Sequence, residues 1–496
     1  MTQSHTHAAD PDARHANSAD RRIVVVGGGL AGIAAALRLA EAGVAVTLVE
    51  SRKRLGGRAT SFVDPDTGEV LDNCQHVVMR SCTNLLDLYE RLGVEDRFRW
   101  ERAIHFINAA GHIDTLEPDD LPAPLHLMRP MFRLQNLTAS EKWAIAKAML
   151  AILQTNPRSR SRHADETFAD WLNVHRQPAG AIEKFWAPII TSACNETPDR
   201  VAASHALHVF QEGFLFDDSA SEMGLATVPL VELYDSVEQR LRAVGGEVLT
   251  GASAERFDFA HGQIKALRLT DGQELTADAY IAALPFDRLA KLTDDAMAHA
   301  DPRLARLNDF EVSPILGIHL FLRRPDGQPV LTLPHLAFMQ SPLHWIFNKG
   351  LGRRHRDENG APVDRVQHLH GVISAAHDWV DQPADAIRDM ALAELRKVLP
   401  AARDAELVHA RVIKEKRATF SPRPGSDALR PAAAGPMANL YLAGDWTDTG
   451  WPATMESATR SGYLAAFAAM DALHIQPHGD PVTNTPPTLL YRLLSG

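Results

Sequence analysis

Cysteine is scarce in this 496-residue chain. Cys74, Cys82 and Cys194 are the whole supply, too few for a disulfide framework and spaced like no metal-ligand motif. They read as packing residues in a reducing compartment, and no metal site is expected. Basic charge is also short: 51 Lys and Arg face 62 Asp and Glu, a net charge of −11, which argues against a nucleic-acid partner. No apolar run approaches the roughly 18 residues that a membrane-spanning helix needs, so any membrane contact is peripheral. Residues 1–20 lack the apolar centre of a signal peptide and read as a disordered tail. The expectation is a cytoplasmic protein, at most peripheral at the inner face of the membrane.

A hydrophobic content of 45% and a charged content of 23% are those of a globular protein, and the length exceeds one ordinary core. The chain is organised around Arg22-Ile23-Val24-Val25-Val26, an apolar run that reads as a buried parallel strand. It breaks into Gly27-x-Gly29-x-x-Gly32, then an Ala- and Leu-rich helical run, then a second strand that ends in Glu50. Gly27 suits the tight turn, Gly29 lets backbone N–H groups approach a pyrophosphate, and Gly32 lets the helix pack on the strand. The helix N-terminus turns its positive end to the phosphates. Glu50, 18 residues past Gly32, is placed to accept hydrogen bonds from ribose hydroxyls. All five parts stand in register, which points to dinucleotide binding. Gly56-Gly57-Arg58 follows directly and suits a second backbone pass under the cofactor, with Arg58 near phosphate.

Further along, Asp72-Asn73-Cys74-Gln75-His76 sets polar groups in an apolar setting. Residues 85–92 read as a helix with a Gly93 cap. A proline-broken apolar stretch at 121–132 precedes a strong helix capped by Ser140, the start of a helical cap with an arginine-rich flank (Arg129, Arg133, Arg158, Arg160, Arg162). Phe185–Ile190 and Ser192–Pro198 suit a greasy pocket wall, and Val231–Val244 reads as a helix. Strands are expected at 245–250, 315–322, 344–347 and 371–374, with a hairpin-like stretch between 254 and 277 and an amphipathic helix over 383–400. Arg411–Phe420 leads back to the first portion. Near the end, a strand closes in Gly444-Asp445, a loop carries Trp446 and Trp451, and a helix begins near Pro452.

The opening glycines, Glu50, Gly56-Gly57-Arg58 and the Gly444-Asp445 end together resemble the flavoprotein superfamily of amine oxidases and carotenoid desaturases, which hold FAD. The run Leu442–Glu456, with Leu71–Val78, Cys194-Asn195-Glu196-Thr197-Pro198 and Val228-Pro229-Leu230, resembles more narrowly the bacterial hydroxysqualene dehydroxylases. Cys74, where glycine is expected, and Arg80-Ser81-Cys82 depart from that pattern. The resemblance implies an α/β fold: a Rossmann-like FAD-binding domain (21–110, 240–290 and 411–475), an interleaved substrate domain of mixed sheet and helical cap (111–239 and 291–410), and a C-terminal tail (476–496). It implies that Gly27, Gly29, Gly32, Glu50, Gly57, Arg58, Ala254, Gly444, Asp445 and Met455 hold FAD. Ala254 would lend its backbone to the adenine, and the late helix N-terminus would face the flavin edge where negative charge gathers. Asn73, Gln75, Asn195, Trp345 and Trp451 become substrate-pocket candidates.

The implied reaction removes the hydroxyl of hydroxysqualene to give squalene, ahead of hopanoid or sterol synthesis. The reductant would be NAD(P)H or a redox partner, and the partner in the pocket a long apolar isoprenoid. Burying that chain contributes about 0.8 kcal/mol per CH₂. Departure of the hydroxyl as water needs a proton donor within hydrogen-bond reach, and His76 is the first candidate, with Asp72 or Asp448 behind it. Rival readings are a carotenoid-type desaturase, an amine oxidase and a non-enzymatic isoprenoid carrier of the same fold.

Overall fold

Strand β1 (Arg22–Val26) is buried from Ile23 onward, and this decides its place. A strand that is apolar on both faces belongs in the middle of a parallel sheet. In the computed structural model, which describes residues 21–351 and 365–495, β1 is the third strand of five. The order is Glu247–Thr250, β2 (Ala45–Glu50), β1, Ala279–Ala282 and Leu440–Leu442, every pairing parallel. The expected tail 1–20 lies outside the described residues.

Helix α1 (Leu30–Glu41) crosses between β1 and β2 and is buried along nearly its whole length. Its neighbour is the late helix Met455–Ala472. Their contact is close because Gly462 has no side chain: a Cβ there would lie 2.1 Å from the Ala31 carbonyl oxygen. The late helix starts at Met455 rather than at Pro452, because the Thr454 hydroxyl accepts the Ser457 N–H and fixes the first turn there.

The second layer is a seven-stranded sheet in the order Glu406–Phe420, Val312–Arg323, Val366–Ile373, Trp345–Leu351, His335–Phe338, Ile104–Ile107 and Ile113–Leu116. Residues 411–420, grouped above with the cofactor-binding portion, are hydrogen-bonded into this sheet along Val312–Arg323. A separate antiparallel sheet holds Ala254–Ala260, Gln263–Leu269 and Glu274–Leu275.

The cap is helical, and its first long helix, Ala139–Gln154, is capped by Thr138 and not Ser140. Thr138 and Glu141 form a reciprocal capping box. The helix expected over 231–244 is a 3₁₀ turn, Leu230–Tyr234, followed by Val237–Arg242. Tyr234 turns inward, its hydroxyl donating to the Ala59 carbonyl at 2.8 Å.

Candidate active site

The N-termini of α1 and of the late helix open on one cavity of about 890 Å³, to which Leu30, Ala31, Thr454 and Met455 all contribute. Gly27 sits at φ +109°, and a Cβ there would meet the Ala283 carbonyl oxygen at 2.3 Å. At Gly32 a Cβ would lie 1.8 Å from the Gly27 oxygen, so helix and turn pack without room for any side chain. Gly29 differs: its nearest neighbour would be the Gly57 Cα at 3.8 Å. Gly56 N–H donates to the Gly28 carbonyl at 2.8 Å, which lays the second glycine pair directly against the first.

Around this bare strip stand the expected polar groups. Glu50 accepts the Gly28 N–H at 2.8 Å and the Arg52 N–H at 2.7 Å, and the residue borders the cavity. Arg58 pairs with Asp445 at 2.5 Å and also donates to the Ala418 carbonyl. Ala254, Gly57, Gly444 and Asp445 line the same cavity, whereas Gly32 lies behind it.

The same cavity includes an apolar part, a chamber walled by Ile104, Phe106, Ile189, Val209, Phe214 and Phe347. Asn73, Gln75, His76, Asn195, Trp345 and Trp451 all border it. Asn195 has little left to offer a ligand. Its amide donates to the Ser313 carbonyl and the Thr419 hydroxyl and accepts the Ala375 N–H, so it ties a cap helix end to the sheet. Trp345 stacks on Phe347, centroids 5.6 Å apart, and donates to the Ser192 hydroxyl at 2.6 Å.

The expected proton donors fare differently. Asp448 is exposed and borders no part of the cavity. Asp72 faces a smaller polar pocket of about 180 Å³ behind it, where its carboxylate accepts from the Ser61 hydroxyl, the Leu230 N–H and the Lys349 ammonium. Burial raises its pKa, but Lys349 and these hydrogen bonds outweigh burial and hold it below the usual carboxylate range. It is a locked anion, not an acid. His76 lies 3.0 Å through Nδ1 from the Cys74 carbonyl; a carbonyl only accepts, so Nδ1 carries the proton. Burial holds the ring below its ordinary pKa, which leaves His76 neutral, with Nε2 free to accept rather than donate.

The Asp72–Lys349 pair gives a stability prediction. Lys349→Met strands a buried carboxylate and should cost about 3–5 kcal/mol at pH 7. Because the folded pKa of Asp72 is depressed, its contribution is complete above the unfolded value near 3.9 and is lost as pH falls through the folded value. Thermal unfolding from pH 7 downward should therefore show the gap between wild type and variant narrowing once pH falls below the unfolded value. A constant gap would refute the assignment.

Comparison with known proteins fits this geometry. Residues 30–470 match the family model described as flavin containing amine oxidoreductase. The chain belongs to that family. It is 27% identical over 481 residues to the 15-cis-phytoene desaturase of Synechococcus elongatus, covering 93% of this chain and 99% of that one. The enzyme of the same name from Arabidopsis thaliana is 27% identical over 455 residues, 89% of this chain and 78% of its own. An oxidoreductase structure from Methanosarcina mazei superposes with a TM-score of 0.66 at 17% identity, covering 91% of this chain and all of the other. The protein is accordingly an FAD-dependent oxidoreductase of the flavin containing amine oxidoreductase family.

In this flavoenzyme the cradle suits its cofactor. The facing glycines leave a strip that side chains would fill, two helix N-termini supply unpaired N–H groups, and Glu50 stands at the end of β2. The cysteines are spectators: burial pushes the Cys74 and Cys194 thiols up to about 12. The sequence reading missed one group. Helix Ala203–Phe210 runs into a π-helical turn, Gln211–Leu215, and places His208 and Glu212 on the cavity wall. A signal was available: His205, His208 and Glu212 recur at helical spacing in an otherwise apolar run.

Proposed function

We propose that this enzyme reductively removes an allylic hydroxyl from a long polyisoprene, converting hydroxysqualene to squalene. The observation that carries the reading is a cofactor cradle continuous with an apolar, aromatic-walled chamber, the kind of site that buries a hydrocarbon and excludes water. The 442–456 run, with its likeness to hydroxysqualene dehydroxylases, supplies the choice of substrate. In balance, one C–O bond breaks, a proton leaves with the hydroxyl as water, and a hydride reaches the same carbon. FAD, when held in the cradle, would supply hydride-transfer chemistry there, with NAD(P)H or a redox partner as the source of electrons.

In this reading Gly27, Gly29, Gly57 and the N-terminus of α1 hold the pyrophosphate, Glu50 the ribose, and Ala254 the adenine. Asp445, oriented by Arg58, holds the ribityl side, with Gly444 and Met455 at the flavin edge. Trp345, Trp451, Asn73 and Gln75 shape the substrate end. No described helix is long and apolar enough to cross a membrane, yet an oily substrate resides in one. Exposed Phe132 and Trp143 are in edge contact at 5.2 Å, and the helix that carries Trp143 packs beside the C-terminal helix Leu489–Leu494 with its exposed Leu489 and Leu493. With Arg129 and Arg133 alongside, this face suits an anionic bilayer surface.

The second reading, desaturation, is favoured by the phytoene desaturase relatives. The two differ in electron flow, since dehydroxylation consumes reductant and desaturation consumes an acceptor. Anaerobic incubation of the flavin-loaded enzyme with reductant and hydroxysqualene should yield squalene. Conversion of phytoene with an electron acceptor, and no squalene from the first assay, would replace the proposal with desaturation.

A further inference from the structure

Glu212 and His208 have no part in the cofactor cradle. A chamber built only for hydrocarbon gains nothing from a carboxylate or an imidazole on its wall, because an unpaired polar group there is destabilising. Both are buried, at 8% and 5% exposure, and both border the cavity.

Their mounting is specific. Glu212 accepts from the Arg160 guanidinium at 3.2 Å, and Arg160 also reaches the Gln211 side-chain oxygen at 3.3 Å. Gln211 is fixed in turn, its amide donating to the Ile152 and Thr155 carbonyls at 2.8 and 2.6 Å. The chain widens into its π-turn at this point, a feature frequent at functional sites. His208 sets its ring edge against Trp451, centroids 4.6 Å apart. Its Nε2 is buried and has no hydrogen-bond partner among the described residues. Trp451 in turn belongs to the loop that precedes the late helix, so the pair stands beside the proposed flavin edge.

We infer that His208 and Glu212, with Arg160 behind them, form a polar subsite that takes the hydroxyl of an otherwise apolar isoprenoid alcohol. The inference rests on the proposed function and assigns within it the group that recognises the oxygen. The hydroxyl hydrogen-bonds to the Glu212 carboxyl group, and His208, four residues earlier, lines the same cavity. Burial favours the neutral form of both side chains. Burial raises the Glu212 pKa against the opposing Arg160 and Arg460 charges. Burial also lowers that of His208, helped by Arg160, His205, Arg460 and Arg430. A carboxyl held so is suited to share a proton with a bound hydroxyl.

The test uses the flavin-loaded full chain, with binding of farnesol and of a hydrocarbon of the same carbon skeleton followed by flavin absorbance and tryptophan fluorescence. The wild type should bind the alcohol at least tenfold tighter than the hydrocarbon. Glu212→Gln and His208→Phe should collapse that preference to within about twofold while flavin content and hydrocarbon affinity are retained; Glu212→Gln lowers the unfolding midpoint because it strands Arg160, whereas His208→Phe does not. An undiminished preference in both variants would overturn the subsite. If instead the variants lose the preference but the wild type makes no squalene from hydroxysqualene, the subsite stands and the reaction assignment falls. Squalene formation at wild-type kcat and KM in both variants would refute the subsite and leave the reaction intact.

Discussion

Gly29→Ala should give a folded protein that purifies without its yellow colour, whereas Gly32→Ala should fail to accumulate. The two glycines sit three residues apart in one motif and do different work. At Gly29 the backbone is at φ −77°, open to any residue, and an added methyl would meet only the Gly57 Cα at 3.8 Å. The protein alone has room for it. What it fills is the strip that the cofactor's pyrophosphate would occupy. Losing one or two charge-assisted hydrogen bonds at about 1.5–3 kcal/mol each weakens FAD binding by roughly 10- to 10⁴-fold. At Gly32 the methyl would lie 1.8 Å from the Gly27 oxygen, a collision inside the β1–α1 unit that the fold cannot relieve cheaply. Flavin absorbance and unfolding midpoint of purified Gly29→Ala, and the soluble yield of Gly32→Ala, separate the cases. A Gly29→Ala protein with full flavin content would remove the pyrophosphate from this strip.

That contrast also shows what a sequence can disclose. The β1–α1–β2 unit was legible because each part is local: a run of β-branched residues, three glycines whose spacing is their function, an acid at a strand end. The late helix was legible for the same reason, with its start misplaced by three residues, because Thr454 and not Pro452 makes the cap. Asn73, Gln75 and Trp345 could be named as neighbours of the chamber. Whether a named polar group is available or already consumed was not legible. Asp72 looks like Asp445 in sequence, yet Lys349, from a strand 277 residues away, holds one at a separate pocket, while Arg58 holds the other at the main cavity. Asn195 is likewise consumed by Ser313, Thr419 and Ala375, partners that only the folded chain brings near. His208 and Glu212 went unnoticed because an amphipathic helical pattern is ordinarily a core face with a wet edge, and the burial of its polar stripe against a cavity is a tertiary fact.

The C-terminal segment is the largest such difference, and its removal should be costly. Expected as a tail, residues 477–494 strap the two halves of the molecule together. Arg38 of α1 donates to the carbonyls of His478 and Asp480. Asn84 and Thr483 exchange hydrogen bonds at 2.8 and 2.9 Å, and Arg460 of the late helix donates to the Thr483 carbonyl at 2.9 Å. The chain then crosses to the cap, where Thr488 binds the backbone of Phe216 and Ala123. Thr488 also caps the helix Leu489–Leu494. Tyr491, 2% exposed, packs its ring edge-on against Phe216 at 4.7 Å. Tyr491→Ala should cost about 3–5 kcal/mol, as for other buried aromatics. Deleting 477–496 should cost more, because it also strands Arg38, Asn84 and Arg460. Leu493→Glu, on the exposed side of the same helix, should change stability by no more than about 0.5 kcal/mol but reduce co-sedimentation with anionic vesicles. Thermal unfolding and vesicle binding on the three variants read the two roles separately. A deletion as stable as the full chain would show that the strap holds nothing, and undiminished vesicle binding by Leu493→Glu would take the bilayer away from this face.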